Sequence, residues 1–173
     1  MPNWIEGTFR CRGSKENIKK FIMEGLQPIS NFGCDEKLQR ENYFEDDDYI
    51  EIIFTLNEQE NDSKRKHPKS LYIPHTHRHF VELYRFGEIS AFRNQNSNDF
   101  VCATKFRGAW GIDTDAIVSV AKEFQIDIRV NGYESGMEFE RLFEINRNGV
   151  IKCDSFIQYQ DYIWECPMPL LGG

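Results

Sequence analysis

The amino-acid sequence predicts an α+β protein with a ferredoxin-like βαββαβ core, an antiparallel sheet that carries both helices on one face. Three observations lead to this prediction. Apolar and polar residues alternate in several short segments, which is typical of strands with one buried face. Two segments that each follow a strand carry apolar residues at helical spacing. Asn148-Gly149 is a strong hairpin signal because both residues tolerate positive φ.

The first half of the chain begins with a predicted strand and a predicted helix. The strand covers Trp4 to Arg12, and Gly13 ends it. Ser14 is a candidate N-cap because its hydroxyl can accept a hydrogen bond from the first helical turn. The buried stripe of the helix comprises Ile18, Phe21, Ile22 and Leu26. Residues 29–48 are polar and acidic, and a second strand follows over Tyr49 to Leu56.

The second half contains the clearest pattern in the chain. Phe100 to Phe106 is apolar on both alternating faces, which favours a central strand. Asp113 or Thr114 caps the next helix, whose buried stripe is Ile117, Val120, Ala121 and Phe124. Ile126 to Val130 forms a strand, and a C-terminal hairpin around Asn148-Gly149 completes the fold.

A large insertion, residues 57–99, interrupts this order within a single predicted domain of residues 1–173. Its first part, residues 57–70, is charged and is predicted to be an exposed loop. Phe80 to Phe86 fits either a strand or a short helix. Phe156 to Trp164 is predicted to add a strand, and residues 167–173 form a tail. Long insertions often carry function, so the insertion is the first place to look for a binding site.

Composition narrows the class of protein. The 14 Phe are enough for a core, and the net charge of −7 argues against a surface that grips nucleic acid everywhere. The five Cys show no CxxC spacing, so we expect reduced thiols. The sequence shows no signal peptide and no apolar run that could span a bilayer. We therefore expect a cytoplasmic protein with no membrane partner and no cofactor.

Three stretches together resemble a known family. They are the opening Met1-Pro-Asn-Trp4, the segment Thr104-Lys-Phe106 running into Trp110, and Tyr133-Glu-Ser-Gly136-Met137 with Gly149-Val150 after it. These stretches resemble the YubB-type ferredoxin-like family of plasmid- and phage-encoded proteins. The resemblance implies a ferredoxin-like core and a mobile-element origin. It implies no catalytic residues and no activity.

All four His lie within a short part of the insertion. In His75-Thr-His-Arg-His79, a strand would place His75, His77 and His79 on one face, close enough for two imidazoles to share a zinc ion. A helix would instead bring His75 and His79 together. The alternative is a solvated loop after Pro74.

The insertion is also basic and aromatic. Cations pair with phosphates while aromatic rings stack on bases, so this mixture suits a single-stranded nucleic-acid site. The alternative is charge patterning on an exposed loop. The candidate binding residues are Lys64, Arg65, Lys66, Lys69, Tyr72, Arg78, Tyr84, Arg85 and Arg93.

An acidic run, Glu45-Asp46-Asp47-Asp48, precedes the second strand. It lacks the spacing of an EF-hand. It is either a solvated face or a surface that imitates nucleic acid toward a basic groove of a partner protein.

The sequence contains no recognisable catalytic motif, so we expect a binding protein. The leading hypothesis is a phage or mobile-element protein that engages a host protein or ribonucleoprotein complex, in the manner of an anti-CRISPR inhibitor of a nucleic-acid-guided defence system. This target class follows from the resemblance. The first alternative is an RNA-binding module that uses the basic insertion, and the second is a metal-dependent nuclease that uses His75, His77 and His79.

Overall fold

The computed structural model describes residues 3–28, 37–57 and 68–173. Within them the chain forms an eleven-stranded sheet and a few helices. The strands are β1 (Trp4–Gly13), β2 (Gln27–Pro28), β3 (Lys37–Glu45), β4 (Tyr49–Asn57), β5 (Ser70–Tyr72), β6 (His79–Glu82), β7 (Glu88–Arg93), β8 (Phe100–Ala109), β9 (Asp127–Glu134), β10 (Phe139–Ile145) and β11 (Ile151–Gln158). The helices are α1 (Lys15–Lys20, continued by a π-helical turn, Phe21–Gly25), α2 (Thr114–Phe124) and α3 (Tyr162–Glu165).

The sheet is antiparallel at every described pairing. Its strands lie in the order β11-β10-β9-β1-β8, and β8 then divides its free edge between two partners. The C-terminal half of β8 pairs with β6, which leads to β5 and β2. The N-terminal half pairs with β7, which leads to β4 and β3. The predicted α+β class is confirmed at this level, with more strands than the sequence indicated.

The predicted helices form where the sequence placed their caps. The Ser14 hydroxyl accepts a hydrogen bond from the Asn17 amide at 3.2 Å, and the Asp113 carboxylate accepts one from the Ala116 amide at 3.2 Å. Both contacts satisfy amides that the first helical turn leaves unpaired. The predicted stripes of α1 and α2 are buried. Asp113, rather than Thr114, is the N-cap of α2.

Both helices pack against the same face of the sheet. The Phe21 ring stacks on Phe9 of β1 with centroids 5.8 Å apart and meets Phe124 of α2 edge-on at 5.4 Å. On this face, alternate residues of the central strands are buried: Ile5, Phe9, Cys11, Phe100, Cys102, Phe106, Ile128 and Val130. Cys11 and Cys102 lie opposite each other and are free thiols. The main hydrophobic core therefore lies on one side of the sheet, and a small second cluster of Tyr133, Tyr162 and Cys166 lies on the other side.

Two sequence predictions need correction. Residues 29–48 received no element, yet Lys37–Glu45 forms β3 and pairs with β4. This strand has little apolar alternation because it lies at the edge of the sheet, where only part of it faces the core. Residues 68–99, the described part of the predicted insertion within the domain, supply three strands to the same sheet. Phe80–Phe86 is neither one strand nor a helix, because β6 ends at Glu82 and a turn follows.

The C-terminal segment also differs from the prediction. β11 ends at Gln158, and Phe156–Trp164 is divided between this strand and α3. α3 begins there because the Asp161 carboxylate caps it and Tyr162 packs with Tyr133 and Cys166. The predicted tail is docked, since the Gly173 amide donates to the Trp4 carbonyl oxygen at 2.9 Å. No helix in the described ranges is long and apolar enough to cross a membrane.

Candidate nucleic-acid interface

The face of the sheet opposite α1 and α2, here called the open face, is polar at its centre. It carries the alternate residues of β1, β8 and β9 that do not enter the core. Those exposed to solvent include Thr8, Arg10, Ala103, Lys105 and Arg129. A sheet with one bare polar face either contacts solvent only or binds a partner there.

Two arginines face each other at the centre of the open face. The register pairs Arg10 of β1 directly with Arg129 of β9. Side chains at such positions are about 5 Å apart at Cβ, and like charges there destabilise a sheet. The pair is therefore unfavourable for folding and calls for an explanation in terms of a ligand.

Arg10 differs from the neighbouring cations in its surroundings. Four of them have carboxylate partners: Arg12 with Asp127 at 2.9 Å, Lys105 with Glu82 at 3.7 Å, Arg107 with Glu6 at 3.2 Å, and Arg129 with Glu144 at 3.6 Å. Among the residues that the structure describes, no carboxylate pairs with Arg10. Within the described part of the chain, its guanidinium therefore has no neutralising carboxylate at the middle of the face.

Shallow depressions meet at Arg10. One of about 220 Å³ is lined by Arg10, Arg12, Arg129, Asn94 and Val101 and also by the carboxylates Asp127 and Glu144. A second, of about 430 Å³, extends from Arg10 across β8 to Lys105, Tyr84 and Arg85. A third brings Tyr84 together with Phe92 and Arg93. Together they form a continuous groove across the central strands.

Aromatic rings border this groove. Tyr84 and Phe92 are 58% and 59% exposed, so their rings are available to a ligand. Phe92 is supported by Tyr49, whose ring centroid is 4.9 Å away, and Tyr49 in turn contacts Phe44. Exposed aromatic rings beside cations are the arrangement on which single-stranded nucleic acids stack.

Arg12 is not available to a ligand because its guanidinium pairs with Asp127. Burial would raise the pKa of Asp127, but hydrogen bonds from Arg147 and Arg12 lower it to about 2. Asp127 therefore stays charged, and Asp127 and Asp99 together neutralise both arginines. Arg147 also contacts Asp99 at 3.1 Å. This network fixes the border of the groove, while Arg10 and Lys105 remain at its centre.

The structure separates the binding residues that the sequence predicted. Tyr84, Arg85 and Arg93 line the groove, although Arg93 also contacts Asp48 at 3.3 Å. Tyr72 and Arg78 lie farther along the sheet, where Tyr72 contacts Phe80 and Arg78 lies over the Trp110 ring. Lys69 is exposed, and its carbonyl oxygen accepts from the Leu83 amide. Lys64, Arg65 and Lys66 lie outside the described residues.

Sequence reasoning missed Arg10, Lys105 and Arg129. The signal was present, because these residues alternate with the buried ones of β1, β8 and β9. What the sequence lacked was the strand order that brings the three together. The described part of the predicted insertion contributes the border of the site, while its centre comes from the core strands.

Two residues of the acidic run, Glu45 and Asp48, contact cations within the chain. Hydrogen bonds from Lys19, Lys15 and Asn42 lower the pKa of Glu45 to about 2. The Asp46 carboxylate accepts from the Asp48 amide at 2.9 Å and shapes the turn between β3 and β4. Asp46, Asp47 and Asp48 are exposed. Since Glu45 is neutralised and Asp48 contacts Arg93, the run gives weak support to nucleic-acid mimicry.

The three described histidines do not share one face. His75 lies in a turn and contacts Glu123 at 2.5 Å, and His77 is exposed in the same turn. Only His79 lies in a strand, where it is 3% exposed. No group of three or more His, Cys, Asp or Glu in residues 3–28, 37–57 and 68–173 could hold a metal ion. The geometry therefore gives the zinc-nuclease alternative no support in that part of the chain.

His79 instead joins two loops. Its Nε2 accepts a hydrogen bond from the Asp113 amide at 3.0 Å, so the neutral ring carries its proton on Nδ1, which donates to the His77 carbonyl oxygen at 2.8 Å. Burial lowers the pKa of His79, although the backbone oxygens of His77 and Gly111 and the Asp113 carboxylate oppose that effect. The buried ring is therefore a neutral structural link.

This link predicts acid sensitivity. Because the pKa of His79 is lower in the folded state than its unfolded value of about 6.5, the unfolded chain takes up the proton first. Stability is then complete above about pH 6.5 and decreases as the pH falls below it. We expect urea unfolding at pH 7.5 and 5.5 to show a smaller pH difference in His79→Gln than in the wild type. His77→Gln should keep the wild-type difference, and equal differences in all three proteins would refute the role of His79.

Comparisons with protein-family models, curated proteins and solved structures found no match to this chain. The geometry of the open face must therefore carry the functional argument.

Proposed function

We propose that this chain binds single-stranded nucleic acid, RNA in the first place, on the open face of its sheet. Phosphates would contact Arg10, Arg129 and Lys105, and bases would stack on Tyr84 and Phe92. The observation that carries the proposal is the Arg10–Arg129 pair, two like charges directly opposite each other with Arg10 unpaired among the described residues. A phosphate between the two guanidiniums would turn this repulsion into attraction.

The net charge of −7 does not conflict with this proposal. A phosphate responds to the charges within about 8–10 Å of it at physiological salt, because ions screen the more distant ones. The central groove is lined by six cations, Arg10, Arg12, Arg85, Arg93, Lys105 and Arg129, and by three carboxylates, Glu82, Asp127 and Glu144. Local charge is therefore positive by three, and the aromatic border adds an attraction that salt does not screen.

We also infer a ferredoxin-like arrangement for β1, α1, β7, β8, α2 and β9. The strand order β9-β1-β8-β7 supports it, as do the two helices on one face. In this arrangement Arg10 and Lys105 lie on the two central strands. Determination of an experimental structure tests this inference, and a different order of these four strands would reject it.

Charge reversal at Arg10 tests the binding function. Arg10→Glu removes a cation from the phosphate path and relieves the repulsion with Arg129. We expect affinity for a fluorescent oligouridylate of about twelve nucleotides to fall at least about tenfold, since a hydrogen bond to a charged group contributes about 1.5–3 kcal/mol. Stability should rise by about 0.2–1 kcal/mol, because Glu opposite Arg is favourable in a sheet.

Lys20→Glu is the matched control. Lys20 is an exposed cation on α1, on the opposite side of the sheet, and the same charge change there should alter affinity less than about twofold. Fluorescence anisotropy at low and moderate salt measures affinity, and urea unfolding measures stability. Equal affinities for the two variants would reject Arg10 as a contact. If the wild type binds neither RNA nor DNA, the proposal fails.

The mobile-element origin and the engagement of a host complex stay predictions. An RNA-binding face would give such a protein one route to a nucleic-acid-guided complex, since those complexes expose single-stranded guide RNA. If oligonucleotide binding fails, engagement of a host protein is the hypothesis left to test.

A further inference from the structure

We infer that Trp110 and Arg78 form a base-stacking subsite at the end of the open face, which extends the path of the bound strand beyond the central groove. This inference rests on the proposed function. Trp110 follows the last residue of β8, and its side chain is 68% exposed. A tryptophan so exposed contributes little to the core, and its ring is available to a ligand.

The backbone of Trp110 is strained. Its φ is +61°, a left-handed conformation that bulky side chains rarely adopt. Strain of this kind costs about 1–3 kcal/mol and persists where the surroundings impose it, often at ligand sites. Glycine would occupy the position without strain. An aromatic residue thus occupies a position whose backbone conformation favours glycine.

The surroundings of Trp110 impose that conformation. Its amide donates to the Asn3 carbonyl oxygen at 2.9 Å, and the preceding Ala109 amide donates to the Arg78 carbonyl oxygen at 3.1 Å. On the other side, His79 accepts from the Asp113 amide and ties the loop to β6. The ring is therefore displayed from a loop that is fixed at both ends.

Arg78 adds a cation to the ring. Its guanidinium carbon lies 5.5 Å from the Trp110 ring centroid, within the range of a cation–π contact. Arg78 also has positive φ, at +58°, so the backbones of both partners are strained. An exposed indole with a guanidinium beside it can stack a nucleobase and pair with the adjoining phosphate.

A second aromatic and cationic pair adjoins the first. Arg107 lies 4.4 Å from the Trp4 ring centroid, and Trp4 contacts Phe80, which contacts Tyr72. Trp4 directly follows Asn3, whose carbonyl oxygen accepts the hydrogen bond from the Trp110 amide. This row continues the open face from the central groove toward Trp110.

The distance between Arg10 and Trp110 sets the length of oligonucleotide that can contact both residues. Arg10 is level with Ala103, and Ala109 lies six residues farther along β8, a span of about 20 Å at about 3.3 Å per residue. An oligonucleotide of about four nucleotides would fill the central groove alone. One of about twelve nucleotides would contact both the groove and Trp110.

The test compares two oligouridylates of these lengths. Trp110→Gly removes the ring and relieves the strain, so the variant should be at least as stable as the wild type. We expect its affinity for the longer strand to fall about five- to 150-fold, because one base stacked on an aromatic ring contributes about 1–3 kcal/mol. Its affinity for the shorter strand should equal that of the wild type. Trp110→Tyr, which keeps a stacking ring, should retain most of the affinity for the longer strand.

Phe156→Ala is the control, since Phe156 of β11 is 57% exposed but lies on the helix side of the sheet, as does its partner Arg141 on β10. It should bind both strands like the wild type. If Trp110→Gly binds the longer strand with wild-type affinity while Arg10→Glu does not, the subsite is rejected and the proposed function stands. If Trp110→Gly lowers the affinity for both oligonucleotides equally, Trp110 is part of the central site and the extended path is rejected. If the wild type binds neither strand, both proposals fail.

Discussion

Replacement of Phe21 by alanine is expected to lower the free energy of unfolding by about 3–5 kcal/mol, the usual range for a fully buried phenylalanine. Phe21 is 1% exposed and joins three elements, because its ring contacts Phe9 of β1 and Phe124 of α2. The substitution removes buried apolar surface and both ring contacts, and it leaves a cavity that the surrounding strands and helices can fill only partly.

Chemical denaturation at pH 7.5 measures this effect. Tyr43→Ala on β3 is a suitable control because Tyr43 is 64% exposed, and its substitution should change stability by about 0.5 kcal/mol or less. A loss below about 1 kcal/mol for Phe21→Ala would mean that α1 does not pack between β1 and α2 as described.

Gly7→Ala is expected to have an effect of similar size, at the upper end of the 1–3 kcal/mol that overpacking costs, about 3 kcal/mol. Gly7 of β1 lies directly opposite Gly132 of β9. A Cβ at Gly7 would overlap the Asn131 carbonyl oxygen and lie 2.8 Å from the Gly132 Cα. These are backbone atoms of the paired strand, so they can move away only if the β1–β9 pairing is distorted.

The neighbouring substitution Thr8→Ala separates this clash from general effects on the strand. Thr8 is exposed on the open face, and its replacement should change stability by about 0.5 kcal/mol or less. Because the β1–β9 register also sets Arg10 against Arg129, Gly7→Ala should weaken oligonucleotide binding as well. A Gly7→Ala protein as stable as Thr8→Ala would show that the two strands are farther apart than the structure places them.

The sequence predicted the elements whose determinants are local. The caps at Ser14 and Asp113 and the buried stripes of α1 and α2 depend on residues three or four positions apart. The central position of Phe100–Ala109 followed from apolar residues on both faces. β3 was not predicted because an edge strand needs few apolar residues. Pairing with β4 stabilises this strand, and that pairing does not require apolar and polar residues to alternate in its sequence.

Side-chain spacing within single elements was enough to predict the fold class, the two main helices and the side of each central strand that enters the core. The pairing of Arg10 with Arg129 and the contact of Arg78 with Trp110 became known only from the folded structure. These contacts join residues more than thirty positions apart in sequence, so they depend on strand order and register. Those are set by how the elements pack together, and no local pattern of residues records them.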